Sequence, residues 1–83
     1  MKKYLVDVYL PAVGKHFDVY LPASKLIGEV TSLLITVAVS VAGKEYIASE
    51  HAMLIRAEDG AVLDTGVTVY DAGIRNAAKL ILI

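Results

Sequence analysis

The 83 residues carry eight Lys and Arg against nine Asp and Glu, contain no cysteine, and are 57% apolar. An apolar share above the roughly 45–50% of ordinary domains excludes a disordered tail, and the absence of Cys excludes a disulfide scaffold. A net charge of −1 without a basic stripe argues against a nucleic-acid partner, and the length suits a single domain over residues 1–83.

Tyr4-Leu5-Val6-Asp7-Val8-Tyr9-Leu10 is rich in β-branched and aromatic residues and reads as a strand. Pro11 to Lys15 is a turn. His16 to Leu21 alternates cleanly, with Phe17, Val19 and Leu21 on one face and His16, Asp18 and Tyr20 on the other. The two runs make a hairpin whose first strand turns Val6, Val8 and Leu10 to the core and Leu5, Asp7 and Tyr9 outward. Pro22 ends it.

The spacing of the apolar residues from Leu26 to Val41 predicts a helix over 25–41, with Ser24 as N-cap, a core stripe of Leu26, Val30, Leu33 and Val37, and Gly43 as the stop. Ile35 and Val39 add a second apolar flank. The uncharged run from Val30 to Gly43 carries four hydroxyl residues and is shorter than the about 18–20 apolar residues of a membrane span. Asp7 cuts the apolar run after Lys2 and Lys3 too early for a signal peptide, so a cytoplasmic protein without membrane insertion is expected. Residues 44–51 read as a loop, with or without a turn of helix at 44–48. Strands follow at 53–56 and 61–63, joined by a turn at Glu58-Asp59-Gly60. A loop with one helical turn spans 67–74, and a last strand runs over 79–83. The order ββ, α, ββ, loop, β gives an α+β layer: a β-grasp with a mixed sheet of about five strands and one helix across one face.

Two stretches carry a resemblance. Leu63-Asp64-Thr65-Gly66-Val67-Thr68-Val69-Tyr70-Asp71-Ala72-Gly73-Ile74, followed by Lys79-Leu80-Ile81-Leu82, resembles the end of ubiquitin-like domains, with Val69 where Leu is usual. Val8-Tyr9-Leu10-Pro11, Gly14 and Phe17-Asp18-Val19, with Leu21-Pro22 before an Ile/Leu-rich helix, resembles the YukD/EsaB family of small ubiquitin-like proteins associated with type VII secretion in Gram-positive bacteria. The resemblance implies a cytoplasmic accessory that binds a secretion membrane component or ATPase, or itself as a homo-oligomer. Two departures stand out. Glu29 is the only acid of the helix, and Arg75-Asn76-Ala77-Ala78 replaces the Gly-Asp pair common before the last strand.

No residue pattern points to catalysis. Ubiquitin-type conjugation and sulfur carriage need a flexible tail ending in Gly-Gly, whereas Ile83 falls inside the expected last strand. His16 and His51 lack companions at ligand spacing, no Ser sits in a nucleophile motif, and the glycines form no phosphate loop. Neither cofactor nor metal is expected. Arg56, Arg75 and Lys79 form either a small basic patch or a solvated rim.

Period-2 alternation leaves Leu5, Tyr9, Tyr20, Ile81 and Ile83 on the sheet face away from the helix, joined by either Met53 and Ile55 or Leu54. These five are the candidate protein-binding residues, since a contiguous apolar patch with Tyr anchors marks an interface. The open sheet face is also the usual docking surface of ubiquitin-like domains. The functional expectation is a non-conjugating interaction module. The alternatives are a homo-oligomeric structural protein unrelated to secretion and a ubiquitin-like carrier with a lost tail.

Overall fold

The alternating residues form a long hairpin. In the computed structural model, which describes residues 2–43 and 51–83, β1 (Lys3–Leu10) pairs antiparallel with β2 (Lys15–Pro22) in unbroken register from Lys3↔Pro22 to Leu10↔Lys15. The turn closes as the N–H groups of Val13 and Gly14 donate to the Leu10 carbonyl. Val6, Val8 and Leu10 are buried as expected, joined by Tyr4. Of the inward trio on β2 only Leu21 is fully buried. Phe17 and Val19 pack against the core but stay half-buried, because β2 is an edge strand.

Helix α1 runs Ile27–Ala42, beginning two residues later than its apolar spacing suggests. Leu26, not Ser24, occupies the N-cap position in an extended conformation, and Glu29 Oε1 accepts a hydrogen bond from the Leu26 N–H at 3.2 Å. A leucine has no side-chain acceptor, so this is half of a capping box. Distant main chain completes the cap: the Ile27 N–H donates to the Val67 carbonyl (2.8 Å) and the Gly28 N–H to the Thr65 carbonyl (3.1 Å). At the other end Gly43 adopts a φ of 62° and its N–H donates to the Val39 carbonyl.

The buried face of α1 is Ile27, Val30, Thr31, Leu34, Ala38 and Ala42, which shares only Val30 with the expected stripe. Leu26 and Leu33 are exposed, Leu33 by 56%, and Val37 is half-buried. A helix that is apolar most of the way round does not select its own buried side; its neighbours do. Gly28 lies against the 64–66 turn, where an added Cβ would come within 3.3 Å of the Thr65 carbonyl oxygen. Thr31 turns inward with its hydroxyl donating to the Ile27 carbonyl at 2.7 Å, so its burial leaves no orphan polar atom. Ile35 leans half-buried on the core and Val39 is exposed.

Three short strands, β3 (Leu54–Arg56), β4 (Ala61–Val62) and β5 (Lys79–Leu82), complete a five-stranded mixed sheet in the order β2-β1-β5-β3-β4. β5 runs parallel to β1 and antiparallel to β3. Met53 and Ile83 lie just past their strands yet exchange main-chain hydrogen bonds of 2.8 and 3.1 Å. Leu54 points into the core, leaving Met53 and Ile55 for the opposite face. A single helical turn in the 67–74 loop is closed by the Ala72 N–H on the Thr68 carbonyl. The turn of helix considered for 44–48 lies outside the described residues. One cluster unites Val6, Val8, Leu10, Leu54, Leu80 and Leu82 of the sheet with Ile27, Val30, Leu34 and Ala38 of the helix, and Leu63, Val69 and Ile74 of the loops belong to it too. Among the described residues, no helix is long and apolar enough to cross a membrane.

Candidate protein-docking face

The side chains facing away from α1 fall into rows, because paired residues on neighbouring strands share a face. The register places His16, Tyr9, Ile81, Ile55 and Val62 side by side, so one row crosses all five strands. Tyr9, Ile55 and Ile81 are half-buried, and Val62 is 58% exposed. Beyond this row, Met53 and Ile83 form a shorter apolar pair, both exposed. The next row on the other side is charged: Asp18, Asp7 and Lys79. Past it lie Tyr20 and Leu5, a cross-strand pair.

The five candidate residues therefore do not form the contiguous patch expected of them. Tyr9, Ile81 and Ile83 share one apolar area with Met53, Ile55 and Val62. Leu5 and Tyr20 form a separate pair across the charged row, and Lys3 Nζ sits 4.8 Å from the centre of the Tyr20 ring. The division follows from a strand repeat of about 6.8 Å on one face: Asp7 must stand between Leu5 and Tyr9. A shallow hollow of about 660 Å³ opens over this division, lined by Lys3, Leu5, Asp7, Asp18, Tyr20 and Lys79 among others.

Within the charged row, Asp7 and Asp18 are direct cross-strand partners, an arrangement that like charges disfavour. Asp7 is relieved on one side. His16 Nδ1 lies 3.2 Å from its Oδ1, and the imidazole also meets Tyr9 with ring centres 4.5 Å apart. Among the described residues, Asp18 and Lys79 have no ion pair, and Lys79 stands beside Asp7 in register without closing to one. The face thus presents unmatched charge of both signs beside an apolar row.

The remaining candidate residues have structural work. Arg56 donates from Nε to Asp59 at 3.2 Å and from a terminal nitrogen to the Ala72 carbonyl at 3.1 Å. The Asp59 carboxyl is held below its ordinary range, first by the Ala61 N–H and then by Arg56. Arg75 lies 3.8 Å from the Tyr70 ring centre and donates to the carbonyls of Tyr70 and Ile74. The two arginines therefore brace loops, and of the three basic residues only Lys79 lies on the outer face. Ser32 bonds back to the Gly28 carbonyl, His51 is exposed, and Ser49 lies outside the described residues.

No family model and no curated protein matches the chain. Solved structures do match. The ubiquitin-like domain of the type VII secretion system protein ECCD1 from Mycobacterium tuberculosis has a TM-score of 0.78 at 18% identity, over 100% of this chain and 99% of that one. The fold is the ubiquitin-like β-grasp. A second ubiquitin-like domain, of EccD5 from Mycobacterium xenopi, matches with a TM-score of 0.75 at 15% identity, over 100% of this chain and 94% of that one. A chain of the MycP5-free ESX-5 inner membrane complex matches with a TM-score of 0.81 at 18% identity; the present chain spans 21% of its length. Strand order, parallel β1–β5 pairing and a single helix over one sheet face are what this chain shares with the ubiquitin-like β-grasp. Its outer face carries the candidate site.

Proposed function

We propose that this chain is a ubiquitin-like interaction module of a type VII secretion system, acting on the cytoplasmic side by docking protein through its outer sheet face. The row His16–Tyr9–Ile81–Ile55–Val62 carries the reading. It lies on rigid strands, spans the whole sheet and combines aromatic and branched aliphatic side chains, the composition of interface anchors. The YukD/EsaB-like motifs and the likeness to EccD domains support the secretion context. Recognition needs no catalytic group, and none is assigned.

The test is a binding measurement with purified proteins. The membrane component and the motor ATPase of the type VII system in the same genome are offered to the chain and to a Tyr9→Ser, Ile81→Ser variant. Capture by the parent chain, weakened about tenfold or more in a variant that melts cooperatively, is the expected result. Equal capture by the variant, or none by either, removes the assignment.

A further inference from the structure

We infer that the free edge of β2 takes an added strand: an extended segment of another protein that places a lysine or arginine between two branched aliphatic residues. This edge is distinct from the outer sheet face, and the inference stands without that reading. Main-chain geometry locates it. In an antiparallel ladder, pairs that exchange hydrogen bonds alternate with pairs that do not. The Ala23 N–H donates to the Lys2 carbonyl at 2.9 Å, one step beyond the Lys3↔Pro22 pair. The bonded pairs are therefore Tyr4↔Leu21, Val6↔Val19, Val8↔Phe17 and Leu10↔Lys15. The far side of β1 agrees. The Asp7 N–H donates to the Ala78 carbonyl and the Leu5 carbonyl accepts from the Ala77 N–H, so both residues turn their main chain away from β2. On β2 this directs the N–H and C=O groups of His16, Asp18 and Tyr20 outward along the edge, and among the described residues no strand pairs with them.

An open edge is a template for pairing, and proteins blunt it by shortness, bulges, proline or lysine. The opposite edge of the sheet, β4, is two residues long. β2 has eight residues and an unbroken register, and its Lys15 and Pro22 stand at its two ends, outside the run from His16 to Leu21. Side chains set the chemistry of the occupant. Residues of an added strand opposite His16, Asp18 and Tyr20 share the outer face, and those between them turn to the helix side. On that side Phe17 and Val19 are half-buried against the core, and the surface they leave open lines the edge, which suits branched aliphatic side chains. On the outer side Asp18 is exposed, has Asp7 as its β1 partner, and makes no ion pair among the described residues. A lysine or arginine opposite Asp18 relieves this line of carboxylates. Edge-to-edge pairing of two copies about Asp18 would instead extend the line with the same two aspartates of the second copy. The charge thus selects a different protein. Main-chain bonds supply the affinity, and the apolar–basic–apolar pattern supplies the choice.

Amide hydrogen exchange with a synthetic probe tests the edge. The probe is the capped peptide Thr-Ile-Lys-Val-Thr between Gly-Ser flanks, added at millimolar concentration to the intact chain and followed by NMR. Exchange at the His16, Asp18 and Tyr20 amides should slow, while the amides of β4 stay unchanged. Methylating the Ile and Lys nitrogens of the peptide removes a donor in either strand direction and should abolish the effect. Asp18→Lys should weaken binding of the lysine peptide about fivefold and favour the same peptide with glutamate in place of lysine. If that variant does not fold, Asp18→Asn carries the test, again with weaker binding of the lysine peptide. The Tyr9→Ser, Ile81→Ser variant should bind the peptide like the parent, which separates the edge from the outer-face assignment; loss of binding there would put the peptide on the outer face and overturn the inference. Unaltered exchange at the three amides overturns it, as does an equal effect of the methylated peptide. Slowing of those amides with chain concentration alone also overturns it, by placing a second copy on the edge.

Discussion

Ala77 is the one described residue other than glycine with a positive φ, 69°, in the segment that leads into β5. It is held there from both sides: its N–H donates to the Leu5 carbonyl at 2.8 Å, and the following Ala78 N–H donates to the Arg75 carbonyl at 3.1 Å. The left-handed region crowds a Cβ and costs a non-glycine residue roughly 1–2 kcal/mol. The Arg75-Asn76-Ala77-Ala78 departure from the Gly-Asp pattern therefore carries backbone strain as well as different turn chemistry. Replacing Ala77 by Gly should raise stability by about 1 kcal/mol after the entropy that glycine adds to the unfolded chain, seen as a higher urea midpoint. An unchanged or lower midpoint would show that the loop relaxes the strain. Tyr4 is a second case. Its hydroxyl is buried with no hydrogen-bond partner among the described residues, although the ring packs in the core and Arg75 lies 5.5 Å from its centre. Tyr4→Phe removes an unpaired polar atom and should stabilise by about 1 kcal/mol, measured as an increase in Tm. A fall in Tm would mean that the hydroxyl is solvated or bonded in solution. Neither residue is conspicuous in the chain, because strain and unmet hydrogen bonds arise only where segments meet.

The elements show where local signals succeed and where they fail. Strand alternation in β1 and β2 is a property of consecutive side chains, so the inward sets Val6, Val8, Leu10 and Phe17, Val19, Leu21 are legible directly. The start of α1 is not. Its first N–H groups are satisfied by carbonyls of Val67 and Thr65, so the chain needs no Ser at the N-cap, and Ser24 is passed over. The same contact explains the rotation of the helix. Gly28 allows the Thr65 carbonyl to approach, which turns Leu34 and Ala38 inward and leaves Leu33 in solvent. Helix propensity alone promises that Gly28→Ala gains about 1 kcal/mol. The new Cβ would press on a carbonyl pinned by the Gly28 N–H, so a net loss of about 1 kcal/mol is expected instead. Chemical denaturation measures the difference, and a gain would show that the 64–66 turn gives way without cost. The run Leu63 to Ile74, which resembles the end of ubiquitin-like domains, acquires its physical sense here. Asp64 accepts the Gly66 N–H, Thr68 accepts the Asp71 N–H, and Leu63, Val69 and Ile74 are buried, so the segment is a cap for the helix and a plug for the core.

For the whole molecule, 57% apolar composition exceeds what one helix on one sheet buries, and the excess emerges on the outer sheet face and the exposed flank of α1. That much the chain determined by itself. Period-2 alternation is local, so it assigns each strand two faces and names Leu5, Tyr9, Tyr20, Ile81 and Ile83 as outward residues. Whether Leu54 or its neighbours join them was open in the chain, because a three-residue strand carries too short an alternation to choose. Pairing of β3 with β5 decided it, setting Ile55 beside Ile81. Tertiary structure also decided that these residues are not one patch. Asp7, Asp18 and Lys79 come from three strands, and only the mutual register of those strands aligns them into a charged row between Tyr9 and Leu5. Alternation tells each strand which way its side chains point. Register and helix rotation depend on contacts between segments far apart in the chain, so only the folded protein could place an apolar row and a charged row side by side.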